Sequence, residues 1–265
     1  MVAPLVKRIW ICRNLLIFLF VSSILAVVVY KFVPVYYAPL MFIRMYEQHQ
    51  DGKKMKLDHK WVPISKIAQP LVQAVIASED NLFMEHNGFD VEQIQKARAE
   101  AEKGKRVRGA STISQQTAKN VFLWPGKSYL RKGIEVYFTF LIEWIWGKER
   151  IMEVYLNSIE MGEGIYGAEA VAEAHFGKHA YQLTKSEAAL IAATLPNPRK
   201  FNSAKPSPYM LKRQAKIISL MGKLIKVEMG YGAGQVDPGT GKVKKRKKWR
   251  ASVIMTWDES LMPMR

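Results

Sequence analysis

The sequence predicts a mainly α-helical protein that begins with one transmembrane helix. Apolar residues recur at helical spacing over residues 71–76 and again, in a longer stripe, over residues 134–145. Thr184 and Glu187 have the spacing of a capping box, in which two side chains bond each other's backbone at a helix start. No stretch alternates apolar and polar residues with the period of two that indicates a half-buried strand.

The first predicted element is a membrane anchor. Residues 14–30 carry no charge, and extension upstream to Ile9 adds Arg13 as the single charge. Such a stretch is long enough to cross a hydrocarbon core about 30 Å thick. Lys7, Arg8 and Arg13 place the N-terminus in the cytoplasm by the positive-inside rule, and the rest of the chain outside. A cleaved signal peptide is the alternative, but the apolar core is long for one and lacks a clear cleavage site.

The next stretch, residues 32–43, is also uncharged and contains two prolines and two tyrosines. It is too short for a second membrane span. Two interpretations stay open: a connector that packs on the following domain, or a segment in the headgroup zone, where tyrosine is favoured.

The helices of the main domain follow in order. Pro70 suits the first turn of a helix over 70–79, and Ser111 is predicted to cap the next one. The charged stretch 100–108 between these two helices is expected to be mobile. Further helices are predicted at 113–122, 129–146, 148–156, from the capping box to Pro196, and at 208–227.

The chain is strongly basic, with 40 Lys and Arg against 23 Asp and Glu and a net charge of +17. Such a charge favours anionic partners. After a glycine-rich loop at 230–241, the run 242–250 carries seven positive charges and no acid. This run is either a solvated tail or a segment attracted to anionic lipid. The anchor orientation argues against nucleic acid. The single cysteine, Cys12, excludes an intrachain disulfide and a four-cysteine metal site.

Three segments carry residues suited to chemistry. In SEDNLFMEHNG, the adjacent acids Glu79 and Asp80 end an apolar helix, which suits a general base or acid as well as an exposed helix end. In the same segment, His86 is a structural hydrogen-bonder or a metal ligand, and no HExxH spacing supports a zinc hydrolase.

The segment GASTISQQTAKN places amides, hydroxyls and one ammonium at a helix start, without an acid. This face can bind sugar hydroxyls and phosphate, or can be a soluble polar surface. In RKGIE, Glu135 lies three and four residues after Lys132 and Arg131. The arrangement is either an intrahelical ion pair or a second functional carboxylate, and glycosidic chemistry commonly uses two.

These segments, with KERIMEVYLN in the same order, resemble the motifs of the peptidoglycan glycosyltransferases, glycosyltransferase family 51. The resemblance covers residues 61–221, and the family's last motif, a basic helix, is matched more loosely by residues 212–218. Bifunctional members append a transpeptidase domain with a Ser-x-x-Lys nucleophile, which is absent from this sequence. The chain therefore resembles the monofunctional branch of Gram-negative bacteria. The family fold is lysozyme-like and helical, with a small membrane-facing jaw.

The resemblance implies that lipid II is polymerised into β-1,4-linked glycan with inversion and release of undecaprenyl diphosphate. Glu79 matches the general base, and Glu135 matches a second glutamate that assists the departing diphosphate or holds a nearby cation. The matched cations are Lys119, Arg131 and Lys132, with Lys127 a weaker candidate. The remaining matched residues would line the donor site or shape the first motif: Asp80, Phe83, Ser111, Thr112, Gln115, Gln116 and Asn120.

No cofactor is required by the resemblance, although the family allows Mg²⁺ or Mn²⁺ to bridge the diphosphate, and no ligand set here demands a metal. The expected partners are lipid II, the lipid-linked glycan chain, membrane lipids and proteins of division or wall synthesis, without nucleic acid. The expected location is the inner membrane, single-pass, with the catalytic domain in the periplasm.

Two other functions would account for part of the pattern. A lysozyme-like glycan-cleaving enzyme, such as a lytic transglycosylase, would use a glutamate in a helical domain but does not need the cations around Glu135. A non-enzymatic scaffold of wall synthesis would not need Glu79, Glu135 and the polar face together.

The predicted domains are 1–13 in the cytoplasm, 14–33 as transmembrane helix, 34–60 as membrane-proximal connector, 61–225 as glycosyltransferase domain, and 226–265 as loop and basic tail.

Overall fold

The protein is mainly α-helical, as predicted. The computed structural model describes residues 2–104, 109, 111–126, 128–224 and 226–230. Lys127, the end of the 100–108 stretch and the loop and basic tail from residue 231 onward therefore lie outside the described residues. Within them the helices are α1 Val2–Phe32, α2 Pro39–Gln50, α3 Gln69–Glu79, α4 Val91–Glu102, α5 Ile113–Phe122, α6 Tyr129–Ile145, α7 Lys148–Ser158, α8 Ala168–Phe176, α9 Lys185–Thr194 and α10 Pro208–Lys223.

Helix α3 is the centre of the core. Its side chains from Leu71 to Ala77 are buried on every face, and α9 and α10 pack against it. Helix α9 contributes four alanines, which let the two helices approach closely. A helix that is apolar all round is stable only when protein covers all of it, so α3 holds its last residue, Glu79, in a fixed place.

A small sheet lies beside the helices. Its strands are β1 Asp58–His59, β2 Glu160–Gly162 and β3 Ile165–Tyr166, in the order β1-β3-β2. β3 pairs in parallel with β1 and antiparallel with β2. Strands of two or three residues are too short to show an alternating pattern, which is why the sequence did not predict them.

The last helix ends earlier than predicted, at Lys223 rather than Val227. Leu224 has an extended backbone, and the side chain of Gln73 on α3 accepts a 3.0 Å hydrogen bond from the Val227 amide. Gln69 accepts one from Met229 in the same way. The chain therefore leaves the helix to run along α3, where two glutamines replace its helical hydrogen bonds.

Residues 32–43 pack in part on the domain. The structure starts α2 at Pro39, and Ala38 and Met41 are buried in a cluster with Tyr166. Tyr37 and Phe42 remain exposed and contact each other. The packed-connector interpretation thus describes one face of this stretch.

Asn157, the last residue of the KERIMEVYLN segment, fixes the chain before α3. It is fully buried. Its Nδ2 donates to Val62 O at 2.9 Å and to Glu153 O at 2.8 Å, and its Oδ1 accepts from Val62 N at 3.0 Å. One amide therefore satisfies both backbone groups of Val62.

We expect Asn157→Ala to lower the free energy of unfolding by about 3 kcal/mol, because it empties a fully buried position and leaves both backbone groups of the half-buried Val62 without this partner. Chemical denaturation of the full chain in detergent measures this loss. Asn87→Ala, at an exposed position, is the control and should leave stability unchanged. Equal stability of the two variants would show that Asn157 does not hold this segment.

Candidate active site

The carboxylate of Glu79 lies at the C-terminal end of α3 and is largely buried, with its side chain 14% exposed. Ser78 Oγ donates to its Oε1 at 2.9 Å, and Gln116 Nε2 donates to its Oε2 at 3.2 Å. Arg213 Nη2 on α10 is 3.7 Å from Oε1 and also donates to Ser78 Oγ at 3.0 Å. Three elements of the fold thus orient this carboxylate.

Gln116 connects Glu79 to the interior. Tyr155 on α7 is fully buried, and its hydroxyl donates to Gln116 Oε1 at 3.3 Å. Burial raises the pKa of Tyr155 well above its ordinary value, and the charges of Glu79 and Asp80 act in the same direction. The hydroxyl therefore stays protonated and remains a donor to Gln116.

Asp80 holds the first and second motifs together. Its carboxylate accepts from the Ile113 amide at 2.9 Å, at the start of α5, and pairs with His86 Nε2 at 2.9 Å. Phe83 is fully buried and packs in the core, with Lys148 Nζ 4.7 Å from its ring centre. That Phe83 shapes the first motif by packing stays a prediction.

The cap of α5 is Thr112, not Ser111. Thr112 Oγ1 accepts from the Gln115 amide at 3.2 Å, and Gln115 Oε1 accepts from the Thr112 amide at 3.0 Å. Thr112 Oγ1 also donates to Gly88 O at 2.7 Å. The cap prediction was wrong by one residue because Thr112, with Gln115 three residues on, forms a reciprocal capping box. Ser111 is left exposed.

Glu135 on α6 is buried between two cations, with its side chain 3% exposed. Arg131 Nη1 donates to its Oε2 at 2.8 Å and Lys132 Nζ to its Oε1 at 2.5 Å. Arg131 is itself mostly buried, while Lys132 is about half exposed. Both oxygens of Glu135 are thus engaged, and the two cations are held in place beside α5.

Lys119 projects from α5 toward these groups. Burial lowers the pKa of Lys119; Glu135 opposes this shift, whereas Arg131, Lys132 and Arg44 add to it. A cation is therefore kept partly desolvated and close to three others. Asn120, its neighbour, is buried with an Nδ2 that has no partner among the described residues.

Two arginines near the site were not among the predicted site residues. Arg44 lies on α2, which packs against α5; its Nη1 is 2.6 Å from Glu47, and its Nε is buried without a partner among the described residues. Arg213 lies within the loosely matched basic segment 212–218. That match was the one indication in the sequence that Arg213 belongs to the site. Arg44 falls in the predicted connector, and nothing in the sequence indicated its place near the site.

The structure brings the predicted residues together around α5. Gln116 faces Glu79 on one turn, and Lys119 faces Glu135 on the next, while Thr112 and Gln115 are used in the cap. A shielded carboxylate beside a group of preorganised cations defines an enzyme that acts on an anionic substrate.

Comparison with known proteins gives the family. The transglycosylase family matches residues 47–222, and the chain belongs to this family. A biosynthetic peptidoglycan transglycosylase of Bacteroides thetaiotaomicron is 64% identical over 82% of this chain and 88% of its own. Proteins with the same description from Caulobacter vibrioides and Bdellovibrio bacteriovorus are 54% and 49% identical, over 77% and 82% of this chain and 89% and 87% of theirs. The mainly helical, lysozyme-like transglycosylase domain is thereby confirmed, together with the monofunctional branch.

Proposed function

We propose that the chain polymerises lipid II into β-1,4-linked glycan and releases undecaprenyl diphosphate. The observation that carries the proposal is the division of α5 between two partners: Gln116 beside the carboxylate Glu79, and Lys119 beside Glu135 and its cations. Such a site offers a proton acceptor at one end and a charge-stabilising group at the other. Membership of the family and the names of the relatives favour glycan synthesis over lytic cleavage.

Glu79 acts as the general base in this proposal. It takes the proton of the acceptor's 4-hydroxyl as that oxygen attacks the anomeric carbon of the donor. The bond from the anomeric carbon to the diphosphate breaks on the opposite face, its electron pair leaves with the diphosphate, and an α linkage becomes β. The contacts of Glu79 with Ser78, Gln116 and Arg213 keep the carboxylate in one orientation.

Lys119 and Arg131 stabilise the departing diphosphate, on which negative charge grows as the bond breaks. Glu135 contributes by holding Arg131 and Lys132 in place, and its two oxygens are already engaged by them. A lytic enzyme would have no charged leaving group for these cations to meet. The cluster is therefore explained by transfer from a diphosphate donor.

A divalent cation would have to be held mainly by the substrate's diphosphate. The carboxylates of Glu79 and Glu135 already accept from hydrogen-bond donors and cations, so they are poorly suited to coordinate a metal ion. Among the described residues, Glu169, Glu173 and His179 lie close enough together to share an ion. Glu169 there accepts from the Ala180 amide and Glu173 pairs with Lys60, so this group has structural partners. Mg²⁺ or Mn²⁺ bound through the diphosphate remains a proposal, and no step above depends on it.

The proposed location is the inner membrane, with the catalytic domain in the periplasm. Residues Trp10–Phe32 of α1 form a helix long and apolar enough to span a bilayer. The protein buries only 6% of the most apolar 18-residue stretch of this helix. An apolar helix left uncovered by protein needs lipid around it. Both substrates are lipid-linked, so an anchored enzyme meets them at high effective concentration. Proteins of division or wall synthesis remain proposed partners, and nucleic acid does not fit this location.

The pH dependence of diphosphate binding tests the role of Lys119. Below its lowered pKa the amine is charged and binds diphosphate. As pH rises through that pKa the charge is lost, at a lower pH than for an ordinary lysine, whose pKa is about 10.4. We expect inorganic diphosphate to inhibit lipid II polymerisation less strongly as pH rises through this range, which gives the inhibition an alkaline limb. Lys119→Arg should move the limb to higher pH, because arginine stays charged. An identical limb in both proteins would exclude Lys119 as its source.

Polymerisation of fluorescent lipid II by the full chain tests the proposed function. We expect a ladder of glycan products that lysozyme digests, as a β-1,4 linkage requires. A parallel reaction with preformed glycan should leave its length unchanged. Shortening of preformed glycan without any ladder would establish the lytic alternative instead.

A further inference from the structure

The end of the anchor helix is bound by side chains of the catalytic domain. Arg150 on α7 donates through Nε at 3.1 Å and Nη2 at 2.7 Å to Tyr30 O, and through Nη2 at 2.6 Å to Val33 O. Trp146 Nε1 donates to Val27 O at 2.7 Å. Tyr30 O is one of the last four carbonyls of α1, which lack intrahelical partners, and a cation placed there also interacts favourably with the helix dipole.

Arg150 is itself held firmly. Its side chain is 13% exposed, its Nη1 lies 3.3 Å from Glu153 Oε1, and its Cζ lies over the Trp61 ring, 5.2 Å from the ring centre. A planar guanidinium with several fixed donors keeps its geometry better than an amine on a flexible stem. These contacts hold the end of α1 against the domain at this point.

Further contacts extend this attachment along α1. Ser23 Oγ is 2.8 Å from the Tyr137 hydroxyl on α6, and Phe20 lies against the same ring. Val27 is fully buried among core residues. The outer part of the anchor is thus packed on the domain, while its remaining surface is exposed.

Helix α7 carries both the anchor contact and the support of the base. Five residues after Arg150, Tyr155 donates to Gln116, which donates to Glu79. One rigid helix therefore connects the membrane anchor with the carboxylate.

We propose that Arg150 is a positioning residue that clamps the anchor to α7 and so sets the height of Glu79 above the bilayer. The inference rests on the proposed function, because height matters when both sugars are held at the surface by lipid-linked diphosphates. A base at the wrong height would still be competent but would meet the acceptor hydroxyl less often.

The first test measures the rigidity of the clamp in nanodiscs. Cys12, the single native cysteine, and an introduced Lys185→Cys on α9 carry spin labels for distance measurement by electron paramagnetic resonance. We expect one narrow distance distribution in this background and a broad one with Arg150→Ala. Arg150→Lys keeps the charge but loses the planar guanidinium with its several donors, so its distance distribution should have an intermediate width. This variant replaces Arg150→Ala in the comparison if the alanine variant does not fold. Equal widths in all three proteins would overturn the proposal.

The second test separates positioning from general damage to the fold. Arg150→Ala should raise the KM for lipid II embedded in nanodiscs by about tenfold, with kcat nearly unchanged. Its kinetics on a short-chain lipid II analogue in detergent should match wild type. Equal losses on both substrates would mean that Arg150 acts on the fold alone and would overturn the clamp. Arg98→Ala, at an exposed ion pair, is the control and should change neither KM.

The two tests also distinguish failure of the clamp from failure of the proposed function. If wild type makes no glycan from lipid II, the function is wrong, and the distance distributions still decide whether Arg150 holds the anchor. If wild type polymerises and the Arg150 variants are unchanged in both tests, only the clamp is wrong.

Discussion

Glu79→Gln should reduce lipid II polymerisation by about a thousandfold, the middle of the range for loss of a general base. The amide has the shape of the carboxylate but cannot take the proton of the attacking hydroxyl. Because Glu79 is reached by donors from Ser78 and Gln116, glutamine can keep part of the same contacts. The variant should therefore fold normally, and the loss should lie in kcat. Initial rates of glycan formation from fluorescent lipid II measure it.

Binding separates loss of the base from loss of the site. Glu79→Gln should bind a donor-site inhibitor with wild-type affinity, since the cations near Lys119 are untouched. Glu92→Gln, at an exposed acid paired with Lys96, is the matched control and should retain full activity. Activity of Glu79→Gln within tenfold of wild type would remove Glu79 from the role of base.

Glu135→Gln should damage both stability and turnover. The carboxylate is buried between Arg131 and Lys132, and its removal leaves Arg131 as a buried charge with no counterion at this position. Breaking one side of a buried pair costs about 3 kcal/mol or more, and we expect a loss of that size on chemical denaturation. Turnover should fall by about a hundredfold, because the cations that meet the diphosphate are no longer preorganised.

The two glutamate variants should thus differ in stability, although both lose activity. Within the described part of the chain, the ion pair of Glu79 is the long one to Arg213, at 3.7 Å, so its replacement should change unfolding little. A Glu135→Gln variant as stable as wild type, yet inactive, would show that Glu135 takes part in the chemistry rather than holding cations.

Much of the helical framework follows from the sequence. The predicted bounds of α5 and the start of α6 match the structure, because apolar stripes and polar starts are local properties of the chain. The capping box of Thr184 and Glu187 is confirmed for the same reason. Helix α10 was predicted too long because its end is set by Gln69 and Gln73, which no local pattern could show.

The candidate site was predicted in its motifs but not in its connections. Spacing alone paired Glu135 with Arg131 and Lys132, since all three lie on one helix. The contacts of Glu79 with Gln116 and Arg213 join three helices, and Arg44 approaches Lys119 from a fourth. Such neighbours depend on tertiary packing, so they appear only once the fold is known.

We propose that this site couples glycosidic bond formation to the release of a diphosphate. The most direct measurement counts both products in one reaction of the wild-type chain with lipid II. We expect one undecaprenyl diphosphate to be released for each β-1,4 bond formed, throughout the growth of the glycan. Bond cleavage in preformed glycan, with no release of undecaprenyl diphosphate, would contradict it.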